Sequence, residues 1–187
     1  MSSSHNSRLI SREGSALIVI DVQEKLLPLI VDKEKIVKNI VKLIKFAKIM
    51  NIPTILTEQY PKGLGRTVEE VKRVLPDIHP IEKTKFNCFG SEEFKEQLSR
   101  GGSSTLIITG VETHVCISQT ALDAADNFQV CVISDAVSSR TKENWQIGLE
   151  RMRDNGATIS STEMLMYELL GDAKTKEFKE CSALLKE

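Results

Sequence analysis

The chain has 187 residues, 41% hydrophobic and 27% charged, with a net charge of −1, the make-up of one globular domain with room for a sizeable core. A balance this near neutral, without a basic block, gives no footing for nucleic-acid binding, and no apolar run reaches the ~20 residues of a membrane span. Four widely spaced cysteines, Cys88, Cys116, Cys131 and Cys181, include no C-x-x-C pair, so reduced thiols in the cytoplasm are expected and a disulfide or zinc framework is not.

Residues 1–14 are polar, lack the apolar stretch of a secretory signal and read as a flexible tail ahead of a single domain, 15–187. Ser15–Asp21 is an apolar, β-branched run ending in a carboxylate, the pattern of a strand buried on both faces. Helical spacing follows over Asp32–Met50, with Asp32 as N-cap and Pro53 barring its continuation. Pro53–Thr57 is the second strand, and Glu58–Gly65 is a loop rich in turn residues. Thr67–Leu75 reads as a short helix carrying a capping box of Thr67 and Glu70. A weaker strand pattern covers His79–Lys83. Ser91 caps a helix to Arg100 that Gly101 and Gly102 close.

Thr105–Thr109 is short and apolar enough for another doubly buried strand. It breaks at Gly110, and a helix runs from about Thr113 to about Asn127. The remaining pattern is a strand at Gln129–Ser134, a helix at Glu143–Asn155, a strand at Ala157–Ser160, and closing helices at Ser161–Leu170 and Ala173–Leu185. Strand and helix alternate about six times without long hairpin signals. The expected fold is α/β: a three-layer α/β/α, Rossmann-like arrangement around a mostly parallel sheet of about six strands. Ligands of such sheets sit beyond the carboxyl ends of the strands. Asp21, Lys83 and Cys116 all stand at predicted strand ends.

Cys116 lies in the first turn of a predicted helix, where unpaired N–H groups and the helix dipole favour a thiolate. The commoner fate of a cysteine is to pack as a small hydrophobe. Asp21 can act as base and later as acid, Lys83 can hold anions nearby, and backbone N–H groups of the turn can receive an oxyanion. Together these groups suit acyl transfer: attack on an amide carbonyl, a thioester, then hydrolysis. Each also has an ordinary role. Asp21 could cap a turn, and Lys83 could be one charge of a solvated loop. Lys85 would share the face of Lys83 in an extended segment, so spacing does not separate them. His114 is the rival base, but two residues before Cys116 it projects to the other side, which favours a turn or rim role.

The residues then resemble a family. ALIVIDVQ (16–23), EKTKFNCF (82–89), GVETHVC (110–116) and DAVSSR (135–140) are similar, in order, to motifs of the isochorismatase-like cysteine hydrolases, which include nicotinamidases and N-carbamoylsarcosine amidohydrolases. The resemblance runs from about Ala16 to the C-terminus. It implies Asp21 as catalytic carboxylate, Lys83 as its cationic partner and Cys116 as nucleophile. It also implies a cis peptide at Val111–Glu112, an oxyanion hole from the N–H groups of Glu112 and Cys116, and Phe89 as the aromatic of the second motif. The family is commonly oligomeric. Apolar positions of the closing helices, Met164, Leu165, Leu169, Leu170, Phe178, Leu184 and Leu185, suit a homo-oligomer, or else cover the chain's own sheet.

The chain also departs from the nicotinamidase pattern. After the second strand it reads TEQYPKGLG (57–65), and its only histidines are His5, His79 and His114, far from the spacing of a metal site. No metal and no other cofactor are expected. Glu58, Gln59 and Tyr60 on that loop are the candidate contacts to a small-molecule substrate, whose identity the resemblance does not supply. The leading reading is a metal-independent cysteine hydrolase acting on a small amide or related C–N bond. The rival is a binding or regulatory module that keeps the pocket without meaningful turnover. A nucleotide-binding domain is disfavoured, because Asp21-Val22-Gln23-Glu24 replaces the glycine-rich turn such domains need.

Overall fold

A computed structural model describes residues 9–186. Six parallel strands form its sheet in the order β3-β2-β1-β4-β5-β6: β1 Ser15–Ile20, β2 Thr54–Gln59, β3 Ile81–Lys83, β4 Thr105–Val111, β5 Gln129–Ser138 and β6 Thr158–Ser160. Helices α1 Lys33–Ile49, α2 Pro61–Leu64, α3 Glu69–Lys72, α4 Glu92–Arg100, α5 Ser118–Ala124, α6 Lys142–Asp154, α7 Thr162–Leu170 and α8 Lys176–Lys186 surround it. The three-layer α/β/α expectation holds.

Alternation along each strand builds the layers. Leu17, Val19, Leu56, Ile107 and Ile133 face Ile40, Leu43 and Phe46 of α1 and Leu165 and Met166 of α7. Ile18, Ile20, Ile55, Ile108 and Val132 face Phe94 of α4, Ala121 of α5 and Met152 of α6. Every residue of β1 is buried, which explains the unbroken apolar run. The chain builds β1 to β3 outward in one direction, then returns to lay β4 beside β1. The switch point, and so the expected crevice, lies at the carboxyl ends of β1 and β4.

Several boundaries differ from expectation for local reasons. β2 continues through Glu58 and Gln59, because Thr57, Glu58 and Gln59 pair with Ile81, Glu82 and Lys83 of β3. Asp32 precedes α1 with a φ of 55° and makes no side-chain cap bond. The Thr67–Glu70 capping box does not form, since the Thr67 hydroxyl bonds to Glu58 instead. Gly110 is inside β4 at a φ of 114°, where a Cβ would collide with the backbone of Ile20. That close approach seats β4 against the end of β1. β5 reaches Ser138 by way of an irregularity in its pairing with β4 between Ile108 and Gly110.

Of the segment expected to be a tail, residues 1–8 lie outside the described residues. Residues 9–14 are not loose: Ile10 is buried in the core beside α1 and α7, and its N–H donates to Glu168. Leu165, Leu169, Leu170 and Leu184 are likewise buried on the chain's own core, whereas Met164 and Tyr167 stay exposed. Among the described residues no helix is long and apolar enough to cross a membrane.

Candidate active site

Asp21 follows the last residue of β1 and is fully buried at a φ of 55°, a left-handed position that Asp tolerates better than most residues. Its N–H donates to the Thr57 carbonyl, 3.2 Å away. The Thr57 hydroxyl donates to Oδ1 at 2.7 Å, and Lys83 Nζ donates to Oδ2 at 2.7 Å. Lys83, the last residue of β3, therefore reaches past β2 to the end of β1. Its ammonium also donates to Gln59 Oε1 (2.9 Å) and the Phe86 carbonyl (3.1 Å), with the Lys85 carbonyl at 3.4 Å. An ammonium has three hydrogens, so all three have partners within the chain. Burial is the largest single influence and would lower the Lys83 ammonium, but the Asp21 charge and hydrogen bond, together with the neighbouring Cys88 and Cys116, outweigh it and hold Lys83 above its ordinary value. The lysine stays charged. Lys85 is not its equal: its side chain is exposed and lies along Gly90.

Cys116 comes from the other side of the switch point. After β4 the Val111–Glu112 peptide is cis, and Thr113–Ile117 forms one π-helical turn before α5, a form frequent at functional sites. The Glu112 carbonyl closes the turn by accepting from Val115 and Ile117 at 3.0 and 3.2 Å. Glu112 is itself clamped, its carboxylate accepting from the Arg140 N–H, Nε and Nη2 at 3.1, 3.0 and 2.7 Å. Burial pushes Glu112 up, yet Arg140 more than compensates and keeps it ionised below its ordinary value. His114 turns away from the thiol and pairs through Nδ1 with Ser139 Oγ, 2.9 Å away.

The Cys116 thiol is buried and within hydrogen-bonding reach of the Asp21 carboxylate. Burial is the larger cause and the Asp21 charge the next in raising this thiol above its ordinary value, with Lys83 pulling the other way. The lowered thiol expected from a helix N-terminus is thus corrected: desolvation and the adjacent carboxylate dominate, and the resting group is a thiol facing a base. Cys88 sits beneath, fully buried, with its N–H on Thr120 Oγ1 at 3.0 Å and its thiol beside the Thr57 and Thr120 hydroxyls. Burial raises it to about 11.

The structure thus brings Asp21, Lys83 and Cys116 together, with the Glu112–Cys116 turn beside them. It treats the four candidate substrate contacts differently. Gln59 is at the site, but its amide is engaged by Lys83 and the Thr84 carbonyl. Glu58 points to the opposite face of β2, where Oε1 accepts from the Thr67 N–H and hydroxyl and Oε2 from Arg66. Phe89 packs on Phe94 and Phe128, with ring centroids 5.2 and 5.8 Å apart, away from the triad. Tyr60 is exposed with its ring over Gly63. The aromatic beside Lys83 is Phe86, half-exposed, and it was missed, as was Thr57. Extending β2 by two residues would have exposed Thr57 and Gln59 as one face. Among the described residues no cluster of three or more His, Cys, Asp or Glu could hold a metal ion.

Known proteins align with this arrangement over most of the chain. Residues 15–164 match the family model of the isochorismatase domain. Isochorismatase domain-containing protein 2 of Danio rerio is 38% identical over 177 residues, 94% of this chain and 89% of that protein. The structure named MAR1 ribonuclease from Caenorhabditis elegans is 36% identical with a TM-score of 0.90, covering 96% of this chain and 93% of that one. The YcaC product of Escherichia coli, described as an octameric hydrolase of unknown specificity, is 29% identical with a TM-score of 0.89 over 95% and 89%. These matches support a hydrolase-type function. This chain belongs to the isochorismatase family.

Proposed function

We propose that the protein is a cysteine hydrolase that cleaves the C–N bond of a small amide, or a related bond, through a thioester on Cys116. One observation carries the reading: a buried Lys83–Asp21 ion pair whose carboxylate lies within hydrogen-bonding reach of a buried thiol, at the sheet's switch point. Perturbed titratable groups brought together in this way mark functional sites.

In this mechanism Asp21 accepts the Sγ proton as sulfur attacks the carbonyl carbon. The N–H groups of Glu112 and Cys116 receive the oxyanion. The C–N bond then breaks, and the proton held by Asp21 passes to the leaving nitrogen. Water attacks the thioester with Asp21 again as base, the C–S bond breaks, and the proton returns to sulfur as the acid departs. Lys83 supplies fixed charge and no proton, because its three hydrogens are already engaged. A metal has no part in the scheme: the loop after β2 offers no histidine, and both Glu58 oxygens are held by Thr67 and Arg66.

Tyr60 and Phe86 are proposed as the exposed rim that meets the substrate. Residues 15–187 form the catalytic domain in this reading. The octameric relative supports assembly as a homo-oligomer, and four free cysteines suit the cytoplasm.

The test is an ammonia-release screen of small amides with wild type and Cys116→Ala. Turnover by wild type that the variant loses, together with an acyl adduct on the Cys116 peptide, is the expected result. Equal turnover by the variant would sink the proposal. Saturable binding without turnover by wild type would put the binding-module reading in its place.

A further inference from the structure

β2 contributes no member of the triad, yet it touches both charged ones. Alternation sends Thr57 and Gln59 to one face and Glu58 to the other. Thr57 Oγ1 lies 2.7 Å from Asp21 Oδ1, and Gln59 Oε1 lies 2.9 Å from Lys83 Nζ. Each end of the ion pair is therefore held by its own β2 side chain, two residues apart.

We infer that Thr57 and Gln59 are positioning residues that hold the Asp21–Lys83 pair in the one orientation from which Asp21 can take the Cys116 proton. The inference rests on the hydrolase reading above. A carboxylate offers about four acceptor positions. Thr57 takes one on Oδ1 and Lys83 takes one on Oδ2, which fixes the plane of the group and leaves positions for the thiol. The Thr57 hydroxyl has a single hydrogen, and Asp21 has it, while the Cys88 thiol lies against the same hydroxyl. Cys88 thereby backs the hydroxyl and does not serve as a second nucleophile.

Gln59 does the corresponding work for Lys83. Without its carbonyl, one ammonium hydrogen would have only the long 3.4 Å contact to the Lys85 carbonyl in a buried site, and the lysine would shift to improve it. Gln59 is unable to follow such a shift. Its Nε2 donates to the Thr84 carbonyl at 2.7 Å, and its backbone is held on both sides by Gln23. Gln23 Oε1 accepts from the Gln59 N–H, while Gln23 Nε2 donates to the carbonyls of Gln59 and Gly65. A continuous run of hydrogen bonds thus joins Gln23, Gln59, Lys83, Asp21 and Thr57.

The test crosses shape against hydroxyl. Thr57→Val keeps the shape and removes the hydroxyl; Thr57→Ser keeps the hydroxyl and removes a methyl. Iodoacetamide alkylation of Cys116 at pH 7, mapped by peptide mass, is the readout, with thermal unfolding as the check on folding. Thr57→Val is expected to slow alkylation about tenfold, as loss of a hydrogen bond to a charged group does, and Thr57→Ser to stay within about threefold of wild type. Gln59→Leu is expected to slow it about tenfold as well. A Thr57→Val rate equal to wild type, or a Thr57→Ser rate as slow as Thr57→Val, overturns the role of Thr57. A Gln59→Leu rate equal to wild type overturns that of Gln59. These failures differ from failure of the hydrolase reading itself. In that case wild-type Cys116 would react no faster than Cys131 and Cys181, and both proposals would fall.

Discussion

Asp21 and Glu58 are both fully buried carboxylates at the carboxyl edge of the sheet, and they do opposite things. Glu58 is closed on all sides: the Thr67 N–H and hydroxyl lie 2.6 and 2.7 Å from Oε1, and Arg66 lies 2.9 Å from Oε2. It ties the loop after α2 to β2. Asp21 has only Thr57 and a buried Lys83, and its remaining side faces a thiol. A buried charge that is saturated by neighbours holds structure together. One left with acceptor capacity beside a nucleophile is placed to move a proton.

The sharpest way to break this contrast is Asp21→Asn. Removing a general base typically costs a factor of about 10²–10⁴, and a loss of that size is expected in both turnover and Cys116 alkylation. The pH dependence should change as well. Burial first, and then the Asp21 charge, raise the Cys116 thiol. Without a base, residual alkylation must await ionisation of the thiol and will climb as pH rises well above neutral. A variant that alkylates like wild type at pH 7 would show that Asp21 is as structural as Glu58.

Lys83→Met tests the other half of the pair. It leaves the Asp21 charge buried with its cation gone, and breaking such a pair costs about 3–5 kcal/mol. Urea unfolding should show that loss. Arg66→Met, the matching change at Glu58, should cost far less, because the Arg66 side chain is 56% exposed and solvent screens it. Equal losses would mean that both carboxylates are anchored alike.

Glu58→Gln should cost stability, about 1–3 kcal/mol at neutral pH, without slowing Cys116 alkylation. Its pH signature has a definite sign. Burial alone would raise Glu58, but Thr67 and Arg66 outweigh it and hold the carboxyl below its ordinary value. A lowered folded value contributes stability above the unfolded value of ~4.3. That stability is lost as pH falls through the folded value. Wild type should therefore weaken more steeply than Glu58→Gln on acidification below about pH 4.5. Parallel acid profiles would place the stabilisation elsewhere.

The same two carboxylates show what the sequence could convey. β1, with its closing Asp21, was plain because a strand buried on both faces is apolar throughout. Cys116 was plain because glycine and a change of period mark the junction of strand and helix. Glu58 was misread because TEQYPKGLG looks like a loop, while pairing with β3 carries β2 on to Gln59. Tertiary pairing overrode local turn chemistry there, and the error of two residues hid the strand face that Thr57 shares with Gln59 and placed Glu58 on the same side as Gln59. The Thr67–Glu70 pattern failed for a related reason. A hydroxyl that could cap α3 found a buried carboxylate instead. The state of the Cys116 thiol was not legible at all, since it depends on burial that no local pattern encodes.

The smallest expected effect concerns the aromatic residues beside the site, where the same division between anchor and rim recurs. Phe89 is half-buried, edge-on to Phe94 and tilted on Phe128. Phe86, three residues earlier, is 51% exposed, and only its carbonyl is engaged, by Lys83. Phe89→Ala should lower stability by about 1–3 kcal/mol through lost packing and leave alkylation of Cys116 untouched. Phe86→Ala should move stability by no more than about 0.5 kcal/mol, because its backbone contact survives the change. If Phe86 forms part of the rim, its loss will raise KM several-fold for an amide with an aromatic acyl group and leave kcat and the reaction with small iodoacetamide unchanged. An unchanged KM would remove Phe86 from the rim and leave Tyr60 as the aromatic to test next.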